Sequence, residues 1–298
     1  MRNKGQQRKL KRSRRKTKKN KRVNLVIKEL KVVSCIICDV ENDSKSIEHI
    51  VSESLGNKKY LMNKGEVCDK CNSRFSKFED KAISNTILGF ARTVNGITTK
   101  KGKISSGKIK ELIFKGQNAT TPGLIEIKGG KNFLRYNKKN KSFELVVPSF
   151  DKNEISLSKL LLKMGIESLF KSKNHVYMDY DFDNLKKYLQ NKTNDDWGFI
   201  MTQEKIGKFY DIPTKTMQKH LNKLGITMEY QNKDANTLLF RFRYMRSHVF
   251  IINLLSRDLN WTIEYKKIIP NLEVQPVHLN KKVGLTKDNN LNVAGVEA

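Results

Sequence analysis

The sequence has few acidic residues, few cysteines and no long apolar run. It contains 30 aspartates and glutamates against 59 lysines and arginines, and only four cysteines. No segment approaches the ~20 consecutive apolar residues of a membrane-spanning helix, so we expect no contact with a membrane. There is also no internal repeat and no glycine-rich phosphate-binding loop. Lys28, Glu29 and Lys31 interrupt the apolar residues after the basic start, so we predict no secretory signal and reduced cysteines in a cytoplasmic protein.

The positive charge is spread along the whole chain. The net charge is +29, and residues 1–22 supply 13 basic residues and no acid, which leaves +16 on the rest. Self-repulsion predicts that the 1–22 tail is disordered. A basic body with a basic tail favours a polyanionic partner, and nucleic acid is the simplest choice. The alternative for the tail is a targeting role.

The four cysteines form two Cys-x-x-Cys pairs with 29 residues between them. They are Cys35, Cys38, Cys68 and Cys71. Two such pairs suit a structural zinc ion with four thiolate ligands, while a redox or disulfide pair of motifs is the alternative. A module of about 45 residues is too small to be stable on its own core, and structural zinc contributes ~10–16 kcal/mol in finger peptides. The sequence therefore predicts a zinc-stapled module.

Three further residues near the cysteines carry chemistry. Glu48 and His49 are adjacent in a predicted strand over 46–51, and Asn72 directly follows the last cysteine. Carboxylate and amide oxygens are hard ligands that suit magnesium, and a neutral imidazole can take a proton from an attacking water. This set suits metal-assisted phosphodiester cleavage. The alternatives are a structural role for His49 and a helix-capping role for Asn72.

These residues together resemble the HNH endonucleases, whose core is the ββα-metal fold. The likeness is strongest to the subgroup with four zinc-binding cysteines, and it covers roughly residues 35–85. Ser52 stands where many relatives have proline. The matching residues are Cys35, Cys38, Glu48, His49, Ile50, Ser54, Leu55, Gly56, Cys68, Cys71, Asn72 and Asp80.

The resemblance implies a role for each site residue. His49 would be the general base, Glu48 would ligate a catalytic magnesium or manganese ion, and Asn72 would ligate that ion or orient the histidine. The products would carry 3′-hydroxyl and 5′-phosphate ends. Asp80 takes the place of the last histidine of the motif, but on a helix it lies about 12 Å and roughly 80° from Asn72. We therefore expect Asp80 to support the ligands from behind or to pack the helix.

The fold class predicted for the chain is α+β. A ββα-metal module over 23–90 follows the disordered tail, and a mixed β-meander and helical domain over 91–280 grips the substrate. Residues 281–298 are expected to be flexible.

Elements are predicted within the second domain. Short apolar runs over 97–148, beginning with 109–114, predict an antiparallel meander. The leucine and methionine stripe over 155–170 predicts a helix, and the pattern over 202–226 resembles a helix-turn-helix, with an ordinary helical hairpin as the alternative.

The last predicted strands cover 226–230, 238–245 and 249–255. In the middle one, Arg241 and Arg243 alternate with aromatic residues, which predicts one apolar and one basic face.

The sequence thus favours a metal-dependent endonuclease acting on double-stranded DNA, nucleoid-associated in a prokaryotic or phage setting. A non-catalytic zinc protein that only binds nucleic acid is the main alternative. An RNA endonuclease is the other, because charge does not distinguish DNA from RNA.

Overall fold

The computed structural model describes residues 33–99, 101–117, 123–150, 152–202, 221 and 223–283. Within these residues the chain forms six α-helices and twelve strands in four sheets, so the prediction of a mixed helical and antiparallel architecture is confirmed. The predicted tail over 1–22 lies outside the described residues. So do the greater parts of the predicted helix-turn-helix over 202–226 and of the flexible end over 281–298.

The described elements have the following bounds. The helices α1 to α6 are Asp69–Ser84, Ile87–Val94, Glu154–Ser172, Asn174–Tyr177, Asp183–Leu189 and Thr262–Ile268. The strands β1 to β12 are Val33–Ser34, Glu41–Asn42, Ser106–Ile109, Leu112–Gly116, Ile125–Lys128, Leu134–Asn137, Ser142–Leu145, Phe199–Thr202, Thr227–Asp234, Thr237–Tyr244, His248–Asn253 and Val274–Gln275. Short 3-10 helices cover Glu53–Leu55, Lys131–Phe133 and Val277–Val283.

The largest sheet has five antiparallel strands in the order β12-β8-β11-β10-β9. Successive side chains of β11 point to opposite faces, as the pleat requires. Phe250 and Ile252 join the core that contains α3, whereas Val249 and Ile251 join a second core that contains α6. Both faces of the sheet are therefore covered.

The basic face predicted for β10 is buried. Arg241 is only 1% exposed, and its guanidinium donates a hydrogen bond to Glu229, its partner in register on β9, at 2.7 Å. Trp261 and Tyr265 at α6 belong to the core on this side of the sheet. The predicted alternation of apolar and basic residues is present, and a helix that lies further along the chain covers the basic face.

The predicted meander divides into two separate sheets. The apolar run over 109–114 is not one strand, because a tight turn at Lys110, with a φ of 51°, separates β3 from β4. β3, β4 and β5 form a three-stranded sheet, and β6 pairs only with β7 within the described residues. The charged residues Lys110 and Glu111 indicate this turn, although the apolar residues around them suggested a continuous strand.

Helix α3 confirms the predicted helix over 155–170 and lies at the centre of the molecule. Its leucines Leu157, Leu160 and Leu161 are fully buried. Phe75 and Phe78 of α1 belong to the same continuous core. The core therefore extends across residue 90, where the sequence predicted the end of the first module.

The segment that carries Glu48 and His49 is less regular than predicted. The strand predicted over 46–51 is reduced to one antiparallel bridge between His49 and Leu61. Two backbone bonds flank it, from Met62 to the carbonyl of Glu48 at 2.9 Å and from Ile50 to the carbonyl of Tyr60 at 3.2 Å. This short ribbon precedes α1 and gives the module its second hairpin.

Asn57 closes the ribbon from inside the loop. Its side chain is fully buried, and its amide donates to the carbonyls of Val51 at 2.7 Å and Tyr60 at 2.9 Å. Its carbonyl oxygen accepts from the backbone amides of Lys59 and Tyr60, at 3.1 and 2.9 Å. One carboxamide therefore satisfies four backbone groups of the loop that follows His49.

We expect Asn57→Ala to lower the free energy of unfolding by about 2–4 kcal/mol, because it leaves several buried backbone groups without partners. Chemical denaturation monitored by circular dichroism measures the loss. The matched control is Asn140→Ala, at an exposed position in the turn between β6 and β7, which should change stability little. Equal stability of the two variants would contradict this role of Asn57.

Candidate metal centre and active site

The four cysteines come together as the sequence predicted. Their Sγ atoms all lie within 4.8 Å of one another, and Sγ of Cys38 is 3.7 Å from that of Cys68. All four are free thiols rather than disulfides. Four sulfurs at this separation fit one tetrahedral zinc ion.

Donors around the sulfurs suit them to be thiolates. The backbone amide of Cys68 donates to Cys35 Sγ, and that of Cys71 donates to Cys68 Sγ, both at 3.4 Å. Nη1 of Arg74 lies 3.9 Å from Cys71 Sγ. The hydrogen bond between Cys35 and Cys71 lowers the pKa of Cys35 to about 4 and raises the pKa of Cys71. Hydrogen bonds and a positive charge offset the negative charge of the thiolates, so the residues present fit zinc.

The first turn of α1 holds the segment that leads to Glu48. Asp69 accepts hydrogen bonds from the backbone amides of Lys45 at 3.2 Å and Ser46 at 3.0 Å, and also from the Ser46 hydroxyl. Its own amide donates to Ser44 Oγ at 2.8 Å. The hydrogen bonds that Asp69 accepts lower its pKa, and the bond from the Ser46 hydroxyl has the largest effect. The metal centre, the helix start and the ribbon are thus joined.

Asn72 takes part in the same arrangement. Its Nδ2 donates to Ser46 Oγ at 3.0 Å. The amide oxygen accepts no hydrogen bond from the part of the chain that the structure describes. The hydrogen bond from Nδ2 therefore orients the Asn72 carboxamide, while its oxygen is available to a ligand.

Glu48 lies in a buried cluster around the ammonium of Lys163. Lys163 projects from α3, is fully buried, and forms an ion pair with Glu48, which is 5% exposed. The same ammonium lies 2.7 Å from Glu79 of α1 and 3.5 Å from Glu167, one turn further along α3. One cation and three carboxylates therefore meet where α3 packs on the module.

Burial governs the protonation of this cluster. It raises the pKa of Glu167 well above its ordinary value, and the charges of Glu48 and Glu79 add to this effect while Lys163 opposes it. Burial alone would lower the pKa of Lys163, but the three carboxylates together raise it, so the ammonium stays charged. Protonation of Glu167 reduces the excess of negative charge around a single buried cation.

The backbone of His49 is fixed by the same lysine. The His49 carbonyl oxygen accepts a hydrogen bond from Lys163 Nζ at 2.7 Å, and the His49 backbone forms the β-bridge to Leu61. The residue is half-buried. The ammonium that pairs with Glu48 therefore also orients the peptide that carries the predicted base.

Asp80 was expected either to support the ligands from behind or to pack the helix, and this expectation stays a prediction. Asp80 is exposed and acts electrostatically on Arg92 of α2. Glu79, one position earlier, is the carboxylate of α1 that joins Glu48 at Lys163. Sequence reasoning missed Glu79, Lys163 and Glu167. A signal was present for the last two, since a lysine and a glutamate four apart interrupt the apolar stripe of α3.

Residues 35–88 match the family model described as HNH endonuclease, so the resemblance seen in the sequence is confirmed for this part of the chain. No curated protein and no solved structure gives a significant match. An HNH domain indicates a nuclease and implies nucleic acid as the partner. Among the described residues, no helix has the length and apolar character that a membrane span requires.

We expect Cys71→Ser to lose bound zinc and to unfold the module, because the site loses one of four ligands. Zinc content by atomic spectroscopy and melting temperature by circular dichroism measure both effects. The control is Asn72→Ala, which leaves the sulfurs intact and should retain zinc and fold. A Cys71→Ser protein with the zinc content and melting temperature of the parent would rule out the staple role.

The buried carboxyl of Glu167 predicts a pH dependence. Since its pKa is raised in the folded state, the folded protein binds more protons than the unfolded one above the ordinary value of 4.5, and stability falls as pH rises. Glutamine has no proton to lose. The melting temperature of Glu167→Gln, relative to the parent, should therefore increase as pH rises above that value.

Differential scanning fluorimetry across pH measures this difference. The control is Glu111→Gln, which makes the same chemical change at an exposed position away from the buried cluster. Parallel curves for Glu167→Gln and the parent would show that Glu167 is charged in the folded protein.

Proposed function

We propose that this protein is a metal-dependent endonuclease that hydrolyses phosphodiester bonds in double-stranded DNA. The observation that carries the proposal is the position of the Glu48-His49 ribbon. Hydrogen bonds through Ser46 join this ribbon to the first turn of α1. There Asn72 directly follows Cys71, one of the four cysteines that could bind zinc. The match of residues 35–88 to the HNH endonuclease family supports the same chemistry.

His49 is assigned the role of general base. Its imidazole takes a proton from the attacking water as the oxygen forms a bond to phosphorus and the bond to the 3′ oxygen breaks. The Lys163 bond to the His49 carbonyl and the bridge to Leu61 support this role, since a base must be held in place relative to its substrate.

Glu48 and Asn72 are assigned as the residues that would hold a catalytic magnesium or manganese ion. Their donors are a carboxylate and a carboxamide oxygen, which fit such an ion. The ion would supply charge stabilisation at the leaving oxygen. Glu48 would share its carboxylate with Lys163, which is compatible with the four lone-pair sites of an ionised carboxylate. Lys163 then fixes the carboxylate rather than leaving it mobile.

One observation favours the second candidate, a zinc protein that binds nucleic acid without cleaving it. The ion pair with Lys163 already neutralises Glu48, so Glu48 has a structural partner without any metal ion. The two candidates differ in whether the parent protein cuts DNA. An RNA endonuclease would cut RNA in a parallel digest and leave plasmid intact.

The test is nicking of supercoiled plasmid with magnesium or manganese. We expect the parent to convert plasmid to nicked or linear form, and His49→Ala to be about 10²–10⁴-fold slower, the usual contribution of a general base. His175→Ala, at an exposed histidine of α4, is the matched control and should cut like the parent.

Intact plasmid with the parent in both metals would favour the binding protein if RNA also stays intact in the parallel digest, and the RNA endonuclease if RNA is cut. Equal rates for the parent and His49→Ala would remove His49 from the reaction. Circular dichroism of each variant ensures that a lost rate reflects chemistry rather than unfolding.

A further inference from the structure

The charges of α1 are sorted around the helix. Its four basic residues, Lys70, Arg74, Lys77 and Lys81, are spaced by four, three and four positions. At about 100° per residue they fall within roughly 60° of the helix surface, on the side opposite Asn72 and Glu79. The helix therefore presents a row of cations away from the predicted catalytic residues.

Nothing described in the structure neutralises this row with a carboxylate. The three acids of α1 are engaged on its other sides, Asp69 with Ser46, Glu79 with Lys163, and Asp80 near Arg92. Across the described ranges, none of the four cations forms an ion pair with an acidic side chain. Lys70, Lys77 and Lys81 are exposed.

A fifth cation faces the row from α3. Lys159 donates a hydrogen bond to Asn191 and lies 4.7 Å from the ring centroid of Tyr188, which holds its ammonium in place. Burial lowers the pKa of Lys159, Asp196 opposes that effect, and Arg74 lowers the pKa further. The fold thus keeps like charges near one another, which is an arrangement that an anion stabilises.

Between these residues runs a groove of ≈ 480 Å³. That volume is more than ten times the ~30 Å³ of one water molecule, so the groove has room for an extended ligand rather than a single ion. Phe78 and Ile155 give it apolar surface between the cations. Such a surface suits a sugar-phosphate backbone, in which anionic phosphates alternate with less polar sugars.

We propose that this groove between α1 and α3 is a second contact surface for the substrate, where it binds the phosphate backbone of double-stranded DNA. The inference rests on the proposed function, since it takes DNA as the substrate. The groove contacts phosphates on one flank of α1 while Asn72 faces the other flank. Contacts of this kind position the duplex and carry no sequence information.

The test is the salt dependence of DNA binding by the full chain. Binding of a labelled duplex by fluorescence anisotropy is measured without divalent cations, in the His49→Ala background, so that cleavage plays no part. Each phosphate contact contributes about 0.9 to the slope of log affinity against log salt. Lys77→Ala with Lys81→Ala should therefore reduce the slope by about 1.8 in magnitude.

The matched control removes two exposed lysines from the opposite face of the five-stranded sheet. Lys267→Ala with Lys281→Ala removes the same charge and should leave the slope within experimental error of the parent. If both double variants reduce the slope of log affinity against log salt equally, net charge alone determines the slope and the proposed groove is overturned. A slope loss on single-stranded RNA but not on duplex DNA would also overturn it.

The binding result is separable from the proposed function. If the Lys77→Ala and Lys81→Ala variant shows a smaller slope of log affinity against log salt while the parent does not cut plasmid, the groove is supported and the nuclease assignment fails. If the parent cuts plasmid and the groove variants bind with an unchanged slope, the groove fails and the nuclease assignment stands. A parent that binds no duplex at any salt concentration would overturn the groove as well.

Discussion

The buried ammonium of Lys163 is the interaction on which the rest of the arrangement depends. It pairs with Glu48, Glu79 and Glu167 and also donates a hydrogen bond to the His49 carbonyl. A buried charge is costly unless its partners are close, and removing one partner typically costs about 3–5 kcal/mol. Helix α3 and the ribbon therefore hold one relative position. The geometry at residues 48 and 49 is set by a side chain more than a hundred residues further along the chain.

The small size of the module explains why such a link is needed. The module consists of short segments with little regular structure. The cluster of four cysteines and the buried Asn57 connect these segments. Phe75 and Phe78 do not form an isolated core, but share one with α3. A zinc ion held by the four cysteines would stabilise local turns, and the downstream helix supplies the apolar surface that a module of this length lacks.

Helix α1 separates two kinds of chemistry. One side of it carries Asn72 and Glu79, whose polar groups are directed to Ser46 and Lys163. The opposite side carries cations that no described carboxylate neutralises. A helix is narrow enough that both sides lie within reach of one duplex, since its diameter with side chains is about 10–12 Å. If both proposals hold, this single helix would position the catalytic groups on one side and contact phosphates on the other, with the two sets of charges kept apart.

Residue types and short spacings were sufficient to predict the cysteine cluster, the start of α1 and the helix over 155–170, because each rests on neighbours in the chain, and the same residues gave the resemblance to the HNH family that residues 35–88 match. The burial of the basic face of β10 was not predicted, and the single strand over 109–114 and the strand over 46–51 were predicted wrongly, since all three depend on what packs from a distance. Glu48, His49 and Asn72 were candidates by type, and their roles stay predictions. The sequence alone determined which groups could do chemistry and which could bind zinc. Only the tertiary structure decided that Lys163 would be the partner of Glu48, because a buried charge is drawn to whichever opposite charges the packing of distant helices brings within reach.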